Sequence, residues 1–493
     1  MGMKLKPSKC RSFSIQSGKP SIITFQVGND NIPSIYHEDQ KFLGKLLFFN
    51  GKSKDTFDHI KSEIETRLQR LEETEIRNEY KLWIYKHYTL PSIRFLLSVH
   101  DITKTDLSKL DSLCNKHVKK WTGLPPCATN TIFHLKHALD IPSVTSVYEE
   151  AHIVTHVDAR LKSDDLVKHA LDSRIEREAQ FTRKQSVTVL AENTFQKSLR
   201  WNTVQAEIPE FVSPVTFRTE VKETAKSLAR TTHHTMHASH LNDLSKQGPL
   251  LNLSIREVQD MTWKSFAFNL KKVVLKFILN ATLDTLPTRA NLLQWKKSSS
   301  DKCVLCNGRQ TTVHVLSACP VALNQGRLTW RHDGIVNYIA QSVDTSKFSI
   351  YADVSEYNTL AGGAIPPSLT VTSDKPDIVI IDEKTITVAI FELTVPFEHN
   401  IETRNTSKNA KFEHLKAEIS NYKTQIVAFE IGARGYISRE NRNRLKKIHK
   451  YCKKEIKLKD FEENIARLSI NASYYIYLCR DQTEWATPSL LSP

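Results

Sequence analysis

Four residues, spaced as Cys303-x2-Cys306-x7-His314-x4-Cys319, restrict the folding of this chain more than any other stretch of it. The two-residue gap lets both sulfurs of the first pair reach one ion, and three thiolates with one imidazole complete the tetrahedral set that zinc prefers. Gly308 is available for the tight turn after the first pair. Residues 301–345 therefore read as a CCHC zinc knuckle with a helix behind it. Its zinc is expected to be structural, because no coordination position is left open for chemistry. Eight cysteines in 493 residues, three of them in this cluster, do not make a disulfide framework. A second group, His233, His234, His237 and His240, has i,i+3 and i,i+4 spacings. It sits in a Ser/Thr-rich stretch with no cysteine or carboxylate between its members, so a solvated segment is the better reading.

The charge balance names the kind of partner. Lys and Arg number 69 against 54 Asp and Glu, a formal net charge of +15, and the pI is near 9.2. Such a chain favours a polyanion, either nucleic acid or an anionic membrane surface. No apolar run approaches the roughly 18 residues of a membrane span. Met1-Gly2-Met3-Lys4-Leu5-Lys6 lacks the apolar stretch of a signal peptide and the Ser or Thr of a myristoylation site. Nucleic acid is the expected partner, with no role for a membrane.

Periodicity divides the chain into several domains. Residues 1–50 read as short strands broken by turns, among them Ser12–Ile15 and Ser21–Phe25. Residues 51–175 are helical. They open on an amphipathic helix with Phe57, Ile60, Ile64, Leu68 and Leu71 on one face and Asp55 as its expected N-cap. Residues 176–250 are polar and poorly periodic, which predicts a linker. A helical pattern returns over 251–300, through Trp263, Phe266, Leu270, Val274 and Ile278, until Leu286-Pro287 breaks it. Residues 346–480 alternate strands (351–354, 377–381, 386–395, 425–430) with helices (about 403–422 and 439–458), which predicts a compact α/β domain. The architecture expected is multidomain: a mainly α-helical N-terminal two-thirds, a zinc knuckle and a C-terminal α/β domain.

That last domain carries the chemistry. Lys375-Pro376-Asp377-Ile378-Val379-Ile380-Ile381 is a strand entered through a proline, and Ile386 to Leu393 is a second strand after a short turn. A hairpin centred between Lys384 and Thr385 sets Asp377 directly opposite Glu392, on the same face. Like charges there repel unless a cation joins them, which calls for Mg²⁺ or Mn²⁺. A divalent ion between the two acids would polarise a phosphate and activate a water, as phosphodiester hydrolysis requires. Two residues after Glu392 stands Thr394, where nucleases of the PD-(D/E)xK class usually have a lysine. Arg404, Lys408, Lys411 and Leu415 recur at helical spacing, so Lys408 or Lys411 is the expected substitute for it. Against this stand two plainer readings: Pro-Asp is a common turn dipeptide, and a cationic helix stripe is usually a solvated face.

Several strings resemble one family. After the knuckle come Gly326-Arg327-Leu328-Thr329-Trp330-Arg331-His332-Asp333, then Lys375-Pro376-Asp377, then Glu392-Leu393-Thr394-Val395-Pro396-Phe397-Glu398. Together they are similar to the C-terminal region of site-specific non-LTR retrotransposon proteins that carry a restriction-like endonuclease. The segment around Ile278-Leu279-Asn280-Ala281 and Leu286-Pro287-Thr288 looks like that family's linker before the knuckle. Residues 1–50 resemble the end of a reverse transcriptase palm, and 51–175 its thumb. The resemblance implies a PD-(D/E)xK fold over 346–480. Asp377 and Glu392 would be the metal-binding acids there, and Lys408 or Lys411 the displaced lysine. It implies a nuclear protein that nicks target DNA for insertion, a retrotransposon RNA as partner, and contacts to nucleic acid from Arg331, His332 and Arg404. The basic residues of the helix from about Arg439 to Lys457 (Arg442, Arg444, Lys446, Lys447, Lys450, Lys453 and Lys454) suit phosphate contacts as well, against the plainer reading of a solvated charged helix. The paired aspartates of a polymerase are missing. Tyr351-Ala352-Asp353-Val354 mimics their motif with one aspartate only, so reverse transcription by this chain alone is not expected. The rival expectation is a nucleic-acid-binding fragment or an inactive relic of such a protein.

Overall fold

A computed structural model describes residues 6–36, 40–42, 45–47, 53–162, 164–181, 186–205, 214–360, 362–400 and 411–488. These residues are mostly helical, with one small mixed sheet and a few two-stranded ribbons. Two compact units hold them. One is Met1–Val118 with Ile141–Met236; the other is Lys119–Asp140 with His237–Pro493. Among the described residues no helix is long and apolar enough to cross a membrane.

In the first unit, the short strands expected near the N-terminus form three antiparallel pairs: Ser14–Gln16 with Lys19–Ser21, Phe25–Val27 with Asp30–Ile32, and Gln40–Phe42 with Lys45–Leu47. Helices follow: α1 (Ser53–Glu73), α2 (Asn78–Ile84), α3 (Leu90–Val99), α4 (Lys104–Thr122), α5 (Val144–Arg160), α6 (Asp165–Phe181), α7 (Val187–Gln205) and α8 (Pro214–Asn242). The stripe of α1 buries Ile60, Ile64, Leu68 and Leu71 as its spacing requires. Asp55 is not its N-cap, because the helix already begins at Ser53. Residues 214–242, expected as polar linker, are instead the 29-residue helix α8. Its Val221, Ala225 and Ala229 pack on Ile153 and Val157 of α5 and on Ala191 and Phe195 of α7. A stripe of small residues at i, i+4 and i+8 carries little hydrophobic signal, yet it lets three helices approach closely.

In the second unit, Thr262–Asn269 winds tightly and α9 (Lys272–Thr282) restarts as an α-helix, so the single helix expected through Ile278 is broken at Leu270. Helix α10 (Arg327–Ser342) leads into a sheet of β1 (Ser349–Ala352), β2 (Ile378–Asp382), β3 (Thr387–Thr394) and β4 (Lys423–Glu430). The strand order is β4-β3-β2-β1, antiparallel except for the β3/β4 pair, which is parallel. The two central strands are buried on both faces, which is why their sequences are continuous apolar runs. One face packs Val379, Ile381, Val388 and Ile390 against Ala364, Ile365, Phe412, Leu415 and Ile419.

Of the helix expected at about 403–422, the described part keeps one turn, Leu415–Glu418; residues 401–410 lie outside the described residues. Helix α11 (Arg439–His449) ends earlier than expected. The 21-residue α12 (Leu458–Leu478), which the strand-and-helix pattern did not announce, is the most buried helix of this unit's end, covering Phe461, Ile465, Leu468, Ile470, Ala472 and Ile476. Its Ser469 and Ser473 hydroxyls donate to Gly432 O (2.8 Å) and Ala433 O (2.5 Å), which fixes the loop after β4.

Candidate metal centres

The ligand atoms of Cys303, Cys306, His314 and Cys319 all lie within 4.8 Å of one another, and among the described residues no other group of three or more such side chains is gathered this way. The first pair sits on a turn in which Asn307 N–H donates to Cys303 O (3.0 Å) and Cys303 N–H to Gly308 O (2.7 Å). Asn307 takes a positive φ of 58°, tolerable for asparagine. A Cβ on Gly308 would stand 3.3 Å from the His314 ring and 3.4 Å from the Cys306 sulfur, so glycine keeps the ligands close.

The second pair depends on a feature invisible in the spacing. His314–Ala318 is a π turn, with Cys319 at its end. In an α-helix residues i and i+5 point well apart; the wider turn brings His314 and Cys319 to one side. Burial pushes the Cys319 thiol up to about 11, helped by the neighbouring Cys303 and Cys306, and burial lowers the His314 pKa. Three sulfurs this close are poor company for one another without a cation. The set fits a zinc ion in number, type and closeness. The His233–His240 group forms no such site: His233 pairs with Glu149 (3.0 Å), and the His237 ring lies 5.2 Å from that of His134.

The acid pair lies at one end of the β2/β3 ribbon. Ile378 pairs with Phe391 and Asp382 with Thr387, so extending this register by one residue sets Asp377 opposite Glu392. Asp382 closes the turn by accepting from Lys384 N–H (3.1 Å) and Thr385 N–H (3.3 Å). The two carboxylates are interlocked through the backbone. Asp377 N–H donates to Glu392 Oε2 (3.3 Å), and Leu393 N–H donates to Asp377 Oδ2 (2.6 Å). Glu392 is 2% exposed, while Asp377 remains partly open. Two carboxylates with one open side fit Mg²⁺, which commonly takes one or two carboxylates and completes its shell with water and phosphate oxygens.

A third group belongs to this end of the ribbon. His332 Nε2 lies 3.3 Å from Asp377 Oδ2, and its Nδ1 lies 3.0 Å from Asp333. Burial alone would lower its pKa, but the hydrogen bonds and charges of Asp333 and Asp377 outweigh burial and raise it to about 10. The imidazole is thus expected as a cation at neutral pH, bridging two aspartates. This places His332 against an acid rather than on an open surface for nucleic acid.

No protein-family model matches the chain. Over 156 residues it is 27% identical to the retrovirus-related Pol polyprotein from type-1 retrotransposable element R2 of Nasonia vitripennis. That alignment covers 29% of this chain and 15% of the polyprotein's length. The chain is distantly related to a retrotransposon protein.

The remaining expected site residues fall in three places. Arg404 and Lys408 lie outside the described residues. Lys411 is exposed, with its ammonium 4.4 Å from the ring centroid of Phe412, and among the described residues it bonds to neither acid. Lys446 and Lys447 on α11 and Lys450 at its C-cap are exposed, whereas Arg442 is half-buried and paired with Glu462 (2.9 Å).

Arg331 is a correction. Expected to touch nucleic acid, it is 2% exposed and turned into the interior. Nη1 donates to Leu316 O (2.8 Å) and Ser473 Oγ (2.9 Å), and Nη2 to Val395 O (3.1 Å). Burial lowers its pKa to about 10, with Glu398 acting the other way, so it stays charged. With its Nη groups bonded to three interior acceptors and Nε buried without a partner, the guanidinium is closed off from any phosphate outside. Sequence reasoning also missed Glu398 and Arg434, a buried ion pair at 2.6 Å just beyond β3.

Proposed function

We propose that this chain is a metal-dependent DNA endonuclease of a retrotransposon, and that residues 346–480 form its PD-(D/E)xK-type nuclease domain. The observation that carries this reading is the acid pair: Asp377 and Glu392 face each other at the end of a buried ribbon, each held by a backbone N–H. The similarity to a retrotransposon Pol polyprotein supports it.

Asp377 and Glu392 hold a Mg²⁺ or Mn²⁺ ion, which when bound supplies Lewis acidity and an activated water. His332 positions Asp377, and Asp333 in turn holds the His332 ring. Lys411 or Lys408 stabilises charge developing on the phosphate. Cys303, Cys306, His314 and Cys319 hold a structural zinc. The exposed lysines of α11 supply phosphate contacts to the target DNA, and a retrotransposon RNA is the second partner. Insertion at a chromosomal target places the protein in the nucleus.

The test is nicking of supercoiled plasmid by the purified chain with Mg²⁺, beside Asp377→Ala, Glu392→Ala and the double variant. Each single change is expected to abolish nicking, with the double no worse, while DNA affinity is kept. Nicking that persists in Asp377→Ala overturns the reading.

A further inference from the structure

A cluster of exposed aromatic rings in the first unit has no part in either metal centre. Between α2 and α3 the chain makes a π turn, Tyr85–Thr89, in which Leu90 N–H bonds to Tyr85 O, five residues back. Such turns are rare and recur at functional sites. This one has a geometric effect: it swings both His87 and Tyr88 toward Trp83. The Trp83 ring centroid is 5.1 Å from that of His87 and 5.5 Å from that of Tyr88. In an unbroken α-helix the i+4 ring would reach Trp83 and the i+5 ring would not. Trp83 is 41% and Tyr88 60% exposed, so the rings form an open platform and not a core. One turn earlier, the Arg77 guanidinium lies 4.7 Å over the Tyr80 ring.

The charge on this face decides the kind of occupant. From Asn78 to Val99 the fixed charges are Lys81, Lys86 and Arg94 against Glu79 alone. Glu79 is buried and paired with Arg77, whose own side chain is largely open. Lys81 is buried and donates to Glu72 O (2.7 Å), and Arg94 is paired with Glu150 (3.1 Å), so the cations beside the rings are the open Arg77 and the half-buried Lys86, and the segment has no exposed carboxylate of its own. Stacking surfaces combined with positive charge are the means by which proteins hold unpaired bases and their phosphates.

We infer that Trp83, His87 and Tyr88 form a stacking platform for a single strand of nucleic acid, with Arg77 beside it for the backbone. The platform is independent of the nuclease reading. It is tested in the full-length chain carrying Asp377→Ala, so that cleavage does not intervene. Fluorescence polarisation is read with labelled 12-residue oligo(dT) in one arm and oligo(U) in the other. Trp83→Ala with Tyr88→Ala is expected to weaken binding about 10- to 100-fold in at least one arm, the arm affected distinguishing DNA from RNA. The salt dependence should keep its slope, since no cation is removed. Trp83→Phe with Tyr88→Phe, which keeps the rings, should bind within about 3-fold of the parent. Unchanged affinity of the alanine variant in both arms overturns the inference. So does equal loss in the phenylalanine variant, or a change in self-association by sedimentation with oligonucleotide binding intact.

Discussion

Glu398→Gln is the most direct probe of how the acid-bearing strand is supported. Glu398 Oε2 accepts from Arg434 Nε and Oε1 from the Arg434 backbone N–H, both at 2.6 Å. Arg434 Nη1 donates to Ala281 O (3.1 Å), and its guanidinium lies 4.0 Å from the Phe397 ring centroid. Both partners are closed to solvent, so removing the negative charge strands a cation in the interior. Breaking a buried pair from one side costs about 3–5 kcal/mol, and the amide's remaining acceptor argues for about 3. In a unit this large that lowers Tm by roughly 2 °C per kcal/mol, or about 6 °C. Calorimetry and urea unfolding followed at the aromatic bands measure it. Two further variants make the reasoning refutable. A Cβ at Gly432 would stand 2.4 Å from Glu398 Oε1, so Gly432→Ala should reproduce much of the loss. Arg434→Met added to Glu398→Gln should recover part of it, because the stranded charge is gone. A Tm drop below about 2 °C, or strictly additive losses in the double variant, would refute the argument.

Metal analysis of the purified chain is expected to find about one zinc per chain, lost in Cys306→Ser; freshly folded protein without zinc would contradict the four-ligand site. Lys411→Ala should slow nicking by about 10²- to 10³-fold if Lys411 is the stabilising cation, and unchanged nicking would pass that role to Lys408. In the first unit, Glu192 is held to about 2: burial raises its pKa, but His156 (2.6 Å), Gln196 and Arg160 (2.8 Å) outweigh it. A depressed folded pKa stabilises above the unfolded value of 4.5 and loses that contribution as pH falls toward 2, up to about 3 kcal/mol. Glu192→Gln should flatten that acid limb in urea titrations between pH 5 and 2. Template-directed primer extension by the purified chain is expected to be absent, since the sequence has no paired polymerase aspartates and its one look-alike, around Asp353, lies after the zinc-ligand cluster; measurable incorporation would contradict this.

The sequence made legible those features in which one residue type leaves little choice. Ligand spacing predicted which four side chains gather, and a turn of four residues predicted the β2/β3 register that faces Asp377 toward Glu392. Periodicity found α1, whose stripe is Ile and Leu. It failed for α8 and α12, and for different reasons. The stripe of α8 is alanine and valine inside a run of Thr, Lys and His, so its burial depends on neighbours that local sequence does not name. In α12 the run Asn471-Ala472-Ser473-Tyr474-Tyr475-Ile476-Tyr477 mixes aromatics with small polar residues. Its buried serines make sense only beside the loop carbonyls of Gly432 and Ala433 that they satisfy. The π turn that gathers His314 and Cys319 is a backbone event that no spacing rule records.

Arg331 and His332 show where motif reading stops. They stand side by side in one string, and both looked like contacts to nucleic acid. On a helix, neighbours point about 100° apart, so at most one of them faces a given surface. Trp330 and Ile335 bury the core side of α10 and set its rotation. His332 then reaches the sheet end and Asp377, while Arg331 turns inward. There its guanidinium bonds at once to Leu316 of the zinc-ligand turn, to Val395 just past Glu392, and to Ser473 of α12. One cation thus joins the turn that holds the cysteines to the strand that holds the acid. Strength alone does not explain a charged group there, since an apolar side chain of that size would pack at lower cost of desolvation. Geometry explains it better: only a planar fork with several donors satisfies three acceptors from three elements and fixes their mutual positions. The two candidate metal centres are therefore built on a shared support, although each draws its ligands from its own stretch of chain.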